Sequence, residues 1–268
     1  MCVRSVDMKY GFIGCGNMGG AIATALSRQT KDIALSDRSG KGKALAERLG
    51  IAYTSNEVIA GSCDRIFLGV KPHMMKGCLA PLQQILAQRK PLLITMAAGL
   101  TMAQIQEFAG CELPIIRIMP NTPVSVGAGL IPYCRNALVE DTVLQDWLAD
   151  MAGCGLLDSL DEALIDAASA LSGSGPAYMY VFLEALADGA VACGLPRAKA
   201  MTYAAATMAG SAKILMESGQ HPGALKDAVC SPGGSTIAGL RALENKGFRG
   251  AAMDCIVAAF QKNKDLGK

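Results

Sequence analysis

Three glycines near the start of the chain have the spacing of a phosphate-binding turn. Gly14, Gly16 and Gly19 form a GxGxxG pattern between an apolar run that favours a strand and an amphipathic run that favours a helix. Glycine allows a tight turn at the first position, close approach of a pyrophosphate at the second, and close helix packing at the third. The pattern therefore predicts a dinucleotide-binding βαβ unit with the phosphates at the helix N-terminus. The predicted cofactor contacts in this turn are Gly14, Cys15, Gly16, Asn17, Met18 and Gly19.

The end of the predicted second strand carries side chains that would select the nucleotide. This segment lies about 20 positions beyond the glycines, where the ribose is recognised. Asp37 would accept hydrogen bonds from a ribose 2′-hydroxyl and favour NAD(H). Arg38, with the hydroxyls of Ser36 and Ser39, would hold a 2′-phosphate and favour NADP(H). We expect NADP(H) to be preferred, with Asp37 turned aside to pair with Arg38, and NAD(H) to be the alternative. A solvated turn with a local ion pair is the structural alternative for this segment.

The composition excludes several classes of protein. The chain has 268 residues, of which 51% are hydrophobic and 18% charged, so it can bury a large core and form two domains. A net charge of +2 with scattered basic residues offers no surface for nucleic acid or a membrane. The 10 cysteines include no CxxC pair and mostly lie in apolar runs, which indicates reduced packing residues in a cytoplasmic protein. His73 and His221 lack clustered ligand partners, so we predict no metal site.

No segment predicts export or membrane insertion. Residues 1–7 lack the long apolar core of a signal peptide. The longest apolar helical segment, 176–195, contains Glu184 and Asp188, which disfavour a transmembrane span. We therefore expect a small-molecule ligand and neither a nucleic-acid nor a membrane partner.

The chain divides into an alternating first part and a helical second part. Up to about residue 160, short apolar runs alternate with helical segments, as in an α/β domain built on a parallel sheet. The predicted strands span 10–14, 33–37, 52–54, 65–70, 91–97, 115–119 and 128–134. The later predicted helices span 162–171, 176–193, 197–218, 222–229, 235–245 and 248–265. These late helices are rich in small residues and would have a modest core of their own, which predicts dimerisation.

Two predicted strand ends would line the cofactor cleft, because ligands of open α/β sheets lie outside the carboxyl ends of the strands. The fourth strand ends in Leu-Gly-Val-Lys-Pro at 68–72, with Val70, Lys71 and Pro72 as predicted contacts, and an exposed turn lysine is the alternative for Lys71. The fifth strand ends in Ala97 and Ala98, which leave room for a flat ring.

Three further segments combine prolines with small or polar residues. Met-Pro-Asn-Thr-Pro at 119–123 is a rigid turn that either places polar groups beside a nicotinamide or joins two strands. Leu-Ser-Gly-Ser-Gly-Pro-Ala-Tyr at 171–178 places small residues at a helix start. Ser-Pro-Gly-Gly-Ser-Thr at 231–236 is either a donor-rich helix entry suited to a carboxylate or a plain helix-turn-helix connection.

Taken together, the motifs resemble those of the pyrroline-5-carboxylate reductase family. GFIGCGNMGGAI, LGVKP, TMAAG, IRIMPNTPVSVGAG, LSGSGPAY and AVCSPGGSTIAGL follow the order of that family across about residues 8–265. The resemblance implies a Rossmann-like dinucleotide-binding domain at 1–160 and an all-α dimerisation and substrate domain at 161–268. It implies a homo-oligomer, either a dimer or a pentamer of dimers. It also implies reduction of 1-pyrroline-5-carboxylate to L-proline by NAD(P)H at a dimer interface, the last step of proline biosynthesis.

The resemblance assigns roles to individual residues. The residues implied to hold the substrate carboxylate are Ser231, Gly234, Ser235 and Thr236. Glu162 matches a polar position near the substrate, and Ser169 and Thr236 are the implied catalytic residues. The further cofactor contacts are Asn56, Val70, Lys71, Pro72, Ala97 and Ala98. Gly219 stands where some relatives carry an acid near the imine nitrogen, which leaves the proton route open.

Two other functions would share part of this sequence pattern. A β-hydroxyacid dehydrogenase needs a catalytic lysine on its long helix to donate a proton, and residues 176–198 contain no lysine. A protonated imine is already a strong electrophile, so its reduction requires alignment rather than an acid. A nicotinamide-sensing protein without enzymatic activity would keep the glycine turn but would not need the segments at 119–123 and 231–236.

Overall fold

The computed structural model of the protein describes residues 8–266. The expected lack of a signal peptide concerns residues 1–7 and lies outside this range. The chain forms two compact units. The first ends at Ser174 and resumes at Ala259, and the second is Gly175–Ala258.

The first unit is built on an eight-stranded sheet with the order β3-β2-β1-β4-β5-β6-β7-β8. Its strands are Met8–Ile13 (β1), Ile33–Ser36 (β2), Ala52–Tyr53 (β3), Cys63–Leu68 (β4), Leu92–Thr95 (β5), Ile115–Ile118 (β6), Gly129–Arg135 (β7) and Gly155–Ser159 (β8). Strands β1 to β6 pair in parallel, β7 runs antiparallel to β6, and β8 is parallel to β7. The predicted parallel sheet is therefore right up to β6 and wrong at β7. The strand order reverses between β1 and β4, which is where such sheets bind ligands.

Helices and turns cover this sheet and form the second unit. The helices of the first unit are Asn17–Leu26 (α1), Lys41–Leu49 (α2), Asn56–Ser62 (α3), Met75–Leu79 (α4), Gln83–Arg89 (α5), Met102–Ala109 (α6), Asp141–Met151 (α7) and Ile165–Ala168 (α8). The later helices are Gly175–Ala192 (α9), Arg197–Ser218 (α10), Pro222–Ala228 (α11), Ser235–Asn245 (α12) and Phe248–Leu266 (α13). The helix predicted at 162–171 is instead a 3-10 turn at Glu162–Leu164, the short α8, and a π-helical turn at Ser169–Gly173.

The sheet is buried on both faces. Phe12 of β1 and Phe67 of β4 stack with ring centroids 4.5 Å apart on one face, beneath α1 and α7. Ile66 and Leu68 of β4 point into a second apolar cluster on the other face. Burial of both faces explains why the central strands are almost continuous apolar runs in the sequence.

The first unit extends past the predicted boundary at residue 160. Arg117 of β6 pairs with Glu162 and Asp166, which ties the segment 161–174 to the sheet. The side-chain amide of Asn263 donates to the backbone oxygen of Asp166 at 3.1 Å, so the end of α13 belongs to the same unit.

The second unit exposes many large apolar side chains. Examples are Tyr180, Val181, Met216 and Met253, which are 62–72% exposed. Phe182 and Phe248 contact each other, with ring centroids 5.4 Å apart. Among the helices of residues 8–266, none has the length and apolar character needed to cross a membrane.

Candidate functional site

The glycine turn and the end of β4 are packed backbone to backbone. Gly14 has a φ of 96°, and a Cβ on it would lie 2.7 Å from the backbone of Gly69 and Val70. A Cβ on Gly19 would lie 2.4 Å from the Gly14 carbonyl oxygen. Gly16 differs, because no atom lies within 4 Å of where its Cβ would be. The first and third glycines thus allow tight packing, whereas Gly16 borders open space.

The N-terminus of α1 opens onto that space without a side-chain cap. Gly16 is the N-cap residue, and no side chain bonds to the first amides of the helix. The first N–H groups of a helix have no partner within the helix, and α1 contains no acidic residue in its first turn. Asn17, Met18 and Gly19 therefore present donors and the positive end of the helix dipole.

Cys15 contributes backbone rather than a reactive thiol. It is buried, with 6% of its surface exposed, and its Sγ lies 3.6 Å from the Ser36 carbonyl oxygen. Burial, with a smaller contribution from the charge of Asp37, raises the pKa of this thiol to about 12. The side chain is a neutral packing group at physiological pH.

A cavity of about 560 Å³ runs along the carboxyl ends of the strands. Gly14, Cys15, Gly16, Arg38, Asn56, Val70 and Lys71 are predicted contacts that line it. Gly69, which belongs to the predicted strand-end segment 68–72, also lines it, as do His73, Met74 and Cys78, which sequence reasoning missed. The motif LGVKP gave a signal for Gly69, but the last three follow Pro72 on a turn and a short helix that has no recognisable motif.

Asp37, in the loop after β2, has hydrogen-bond partners other than the predicted Arg38. Asp37 does not pair with Arg38; its Oδ2 accepts hydrogen bonds from the N–H and hydroxyl groups of Ser39, and the Tyr53 hydroxyl lies 3.2 Å from its Oδ1. The expected ion pair is wrong because nearby uncharged donors satisfy the carboxylate. Arg38 is exposed and has no carboxylate partner in the described part of the chain.

Ser36 lies against Asn56 rather than open to the cavity. Its hydroxyl donates to Asn56 Oδ1 at 2.6 Å, and only 7% of the residue is exposed. The Asn56 side-chain amide in turn approaches the Cys78 Sγ at 3.9 Å. A direct role of Ser36 toward a phosphate stays a prediction, and it would require the hydroxyl to leave Asn56.

The remaining predicted cofactor contacts lie on both sides of the strand ends. Pro72 begins a 3-10 turn directly after Lys71, whose side chain is exposed. Ala97 is 2% exposed within the apolar core, and Ala98 packs against the cluster of Met119, Cys134 and Ile165. Ala97 would therefore contribute mainly its backbone.

The turn at 119–123 is held by its asparagine. Asn121 accepts from the Leu130 N–H at 2.9 Å and donates to the Ser172 carbonyl oxygen at 3.1 Å. Both ends of this amide are occupied by backbone groups, which favours the structural interpretation of the turn. It also links the turn to the π-helical segment Ser169–Gly173.

Arg117 forms a buried ionic cluster beside that segment. It is 2% exposed and lies 3.2 Å from Glu162 Oε1 and 3.0 Å from Asp166 Oδ1. Glu162 Oε1 also accepts from the Met102 N–H at 2.8 Å, at the first turn of α6. The Arg117 Nε has no hydrogen-bond partner among residues 8–266. Glu162 was predicted to bind substrate, and one of its two carboxylate oxygens thus already accepts hydrogen bonds from Arg117 and Met102.

Ser169 is buried at the start of the π-helical turn, with 8% exposed. Its Oγ would lie 3.2 Å from a Cβ on Gly173, so a glycine at 173 keeps space beside this hydroxyl. Isolated π-helical turns are frequent at functional sites, because they redirect side chains. The predicted catalytic role of Ser169 stays a prediction.

The predicted carboxylate-binding residues lie at the N-terminus of α12 in the second unit. Gly234 is the N-cap residue of this 11-residue helix and makes no side-chain cap bond. Ser231, Ser235 and Thr236 are exposed, and the Gly234 N–H donates to the Ser231 carbonyl oxygen at 3.0 Å. The N–H groups of the first turn and two hydroxyls are therefore presented together. Across the described residues no group of three His, Cys, Asp or Glu side chains is arranged to bind a metal ion.

Family models match both parts of the chain. Residues 162–266 match the model described as pyrroline-5-carboxylate reductase dimerisation. Residues 9–99 match the model described as NADP oxidoreductase, coenzyme F420-dependent. The pyrroline-5-carboxylate reductase of Escherichia coli K12 is 40% identical over 98% of this chain and 100% of its own length. The chain belongs to the pyrroline-5-carboxylate reductase family.

Other relatives of the same name extend across kingdoms. The reductase of Pisum sativum is 41% identical over 98% of each chain. The crystal structure of Plasmodium falciparum pyrroline carboxylate reductase with NADP bound matches with a TM-score of 0.88 and 34% identity, over 98% of this chain and 99% of that one. The Streptococcus pyogenes enzyme matches with a TM-score of 0.87 and 36% identity, over 96% and 98% of the two chains. The predicted family and fold class are confirmed, and the dimerisation model indicates a homo-oligomer.

Proposed function

We propose that this chain reduces 1-pyrroline-5-carboxylate to L-proline with NADPH, the last step of proline biosynthesis. Full-length relatives at 40% and 41% identity that carry the name of this activity support the reaction. The observation that carries the cofactor assignment is the glycine cradle of Gly14, Gly19 and Gly69, with open space at Gly16.

The residues present fit a dinucleotide. A Cβ at Gly16 would enter the open space that borders the uncapped N-terminus of α1, where a pyrophosphate needs both room and donors. Arg38 and Ser39 line the same cavity and would hold the 2′-phosphate. A Plasmodium falciparum relative binds NADP, which supports NADP(H) over NAD(H) as the preferred cofactor. When bound, the reduced nicotinamide supplies a hydride.

The substrate carboxylate would bind at the N-terminus of α12. The first N–H groups of this helix, together with the hydroxyls of Ser235 and Thr236, offer several donors to one anion. Ser231 and Gly234 shape the entry to the helix; Ser231 is exposed and Gly234 is partly exposed in the protomer, which leaves them accessible to a ligand. This arrangement binds a carboxylate without a cationic side chain.

The chemistry demands alignment more than acid catalysis. The protonated imine nitrogen already carries the proton that the product amine needs, so hydride addition to the adjacent carbon completes the reduction. The roles left to the chain are to hold the ring and to exclude water. Ser169 and Glu162 are proposed to contact the substrate or relay a proton from solvent to the ring nitrogen, supported by the small residue at Gly173 beside Ser169.

We further propose that the homo-oligomer is a dimer, or a pentamer of dimers, with substrate bound at the dimer interface. The apolar side chains that the second unit exposes, such as Tyr180 and Met216, support such an interface. A cytoplasmic location is proposed with it. The free thiols of the nine described cysteines suit a reducing compartment.

A direct assay tests the proposed reaction. Purified protein mixed with NADPH and pyrroline-5-carboxylate should lose absorbance at the nicotinamide band and form proline in equal amount, and a parallel assay with NADH should show a higher KM. No turnover by folded protein that still binds NADP⁺ would favour a nicotinamide-sensing function. A clear NADH preference would contradict the cofactor assignment.

A further inference from the structure

Asp37 lies where a carboxylate would recognise the ribose, yet the protein itself engages both of its oxygens. Oδ2 accepts from the Ser39 N–H at 3.2 Å and from the Ser39 hydroxyl. Oδ1 lies 3.2 Å from the Tyr53 hydroxyl, which is also 2.9 Å from the Asp37 carbonyl oxygen. The carboxylate is therefore tied to its own loop on one side and to β3 on the other.

The start of α2 closes around the same carboxylate. A Cβ on Gly42 would lie 2.8 Å from Asp37 Oδ1 and 3.2 Å from the Cys15 Cβ, so only glycine allows this close approach. Burial opposes the charge of Asp37, but hydrogen bonds from Ser39, Gly42 and Tyr53 outweigh it and lower the pKa of the carboxyl. The group is thus held ionised in a fixed position.

Arg38, the cationic residue next to Asp37, remains available to bind an anion. Arg38 lines the cofactor cavity with Asp37 and Ser39, and it forms no ion pair with a carboxylate among residues 8–266. Were Asp37 free, its charge would repel a 2′-phosphate and its oxygens would accept from the 2′-hydroxyl of NAD(H). The orientation of the Asp37 carboxylate therefore affects the relative affinities for NADP(H) and NAD(H).

We propose that Tyr53 is a positioning residue for cofactor specificity. With Ser39 and Gly42, its hydroxyl keeps the Asp37 carboxylate from a ribose 2′-hydroxyl and leaves Arg38 unpaired for a 2′-phosphate. The inference rests on the proposed use of NADP(H). It assigns a function to a residue that lies outside the glycine turn and its motif.

The test is the ratio of nucleotide affinities in Tyr53→Phe, measured by isothermal titration calorimetry with NADP⁺ and NAD⁺ and no substrate. Loss of one hydrogen bond to a charged group should weaken NADP⁺ binding about fivefold. NAD⁺ binding should stay unchanged or become tighter, so the ratio of the NAD⁺ to the NADP⁺ dissociation constant falls. The matched control is Tyr133→Phe, because Tyr133 is only 8% exposed and its hydroxyl has no hydrogen bond within the described chain.

A second variant separates positioning from direct recognition. Asp37→Asn keeps one acceptor oxygen but replaces the other by an amide donor, so the side chain can no longer accept from both Ser39 and Tyr53, its position is less well fixed, and NADP⁺ binding should weaken. An Asp37 that recognises the ribose directly would instead give tighter NADP⁺ and weaker NAD⁺ binding. That result overturns the inference, as does a Tyr53→Phe variant with an unchanged or raised ratio. Folded wild-type protein that does not bind NADP⁺ contradicts the proposed function itself, which keeps the two failures distinct.

Discussion

A Cβ atom on Gly69 would lie 2.3 Å from the carbonyl oxygen of Gly14. The end of β4 and the glycine turn after β1 are therefore in contact through backbone atoms alone. This contact fixes the position of the turn relative to the neighbouring strand of the sheet. A side chain at either residue must displace backbone, which is costly because little else can move.

Gly69→Ala should impair both stability and cofactor binding. The new methyl group meets backbone, so we expect the midpoint of thermal unfolding to fall by several degrees, for an overpacking penalty of about 1–3 kcal/mol. NADP⁺ affinity should fall at least about tenfold, because the turn that faces the phosphates shifts. Thermal unfolding and calorimetric titration measure the two effects.

Gly16→Ala is the matched control for that prediction. No protein atom lies within 4 Å of its Cβ position, and its φ of −67° suits alanine. It should leave the unfolding midpoint within about 2 °C, since only a weak N-cap preference is lost, and still weaken NADP⁺ at least about tenfold. Unchanged NADP⁺ affinity in Gly16→Ala would show that the phosphates bind elsewhere.

Thr236→Ala tests the carboxylate site in the second unit. Loss of an exposed hydroxyl at the start of α12 should raise the KM for pyrroline-5-carboxylate about tenfold, as for one hydrogen bond to an anion. The KM for NADPH should not change. The control is Thr202→Ala, whose hydroxyl only donates to the Ala198 carbonyl oxygen of its own helix at 3.0 Å. Near-normal steady-state constants in Thr236→Ala would refute the assignment.

Glu162 and Asp166 provide a matched pair of variants to test whether Glu162 contacts the substrate. Both carboxylates contact Arg117, at 3.2 and 3.0 Å, and both side chains are about 30% exposed. Glu162→Gln should raise the substrate KM about fivefold if this group also contacts substrate, as proposed, whereas Asp166→Asn should change KM less than twofold. Both variants should lower the unfolding midpoint, because each replaces one charged partner of the buried Arg117 cation by a neutral amide. Equal KM values would reduce Glu162 to a structural partner of Arg117.

The pH dependence of stability should reflect Asp150. This carboxylate accepts from Tyr10 and contacts Lys9 at 2.7 Å and Arg65 at 2.6 Å. Burial opposes its charge, but hydrogen bonds from Lys9 and Tyr10 and the charges of Lys9 and Arg65 outweigh it, so its pKa lies below the ordinary value of 3.8. A lowered pKa stabilises the fold above the unfolded value, and this contribution disappears as the pH falls through the folded value.

Asp150→Asn should therefore be less stable than wild type by about 2 kcal/mol at neutral pH, and the difference should shrink below about pH 4. Urea unfolding between pH 3.5 and 8 measures it. The control is Asp141→Asn, whose side chain is 86% exposed although it pairs with Arg135, and which should cost under about 1 kcal/mol. A difference that is constant down to the lowest pH would contradict the assigned role of the charge.

The sequence predicted the elements that repeat a strong pattern. The central strands, including β1 and β4, are apolar because both faces of the sheet are buried. The spacing of the glycines located the phosphate-binding turn after β1. β8 was not predicted, because Leu156 and Asp158 are exposed at the sheet edge and no continuous apolar run marks it. The reversed direction of β7 was not predicted either, since the apolar pattern of a strand does not encode its orientation.

The cofactor site was predictable to the extent that it depends on backbone. Gly14, Gly16 and Gly19 were identified because Gly14 and Gly19 leave no room for a Cβ beside neighbouring backbone, and Gly16 borders the open space where a pyrophosphate would bind. The hydrogen-bond partners of Asp37 and Ser36 were not, because Tyr53 and Asn56 lie 16 and 20 residues away and are brought close only by the pairing of β2 with β3 and the position of α3. Which of several possible hydrogen-bond partners a polar side chain uses depends on the tertiary structure.

The return of the chain to the first unit at Ala259 has a practical consequence. A fragment that stops at Ser174 would retain the whole sheet but lose Asn263, whose amide binds the backbone of Asp166 next to the Arg117 cluster. The boundary at which the chain re-enters the first unit, between Ala258 and Ala259, lies inside α13. Cleavage at this boundary would therefore also break hydrogen bonds of the helix. Excising a minimal nucleotide-binding protein would therefore require splicing residue 174 to the last turns of α13, rather than simple truncation.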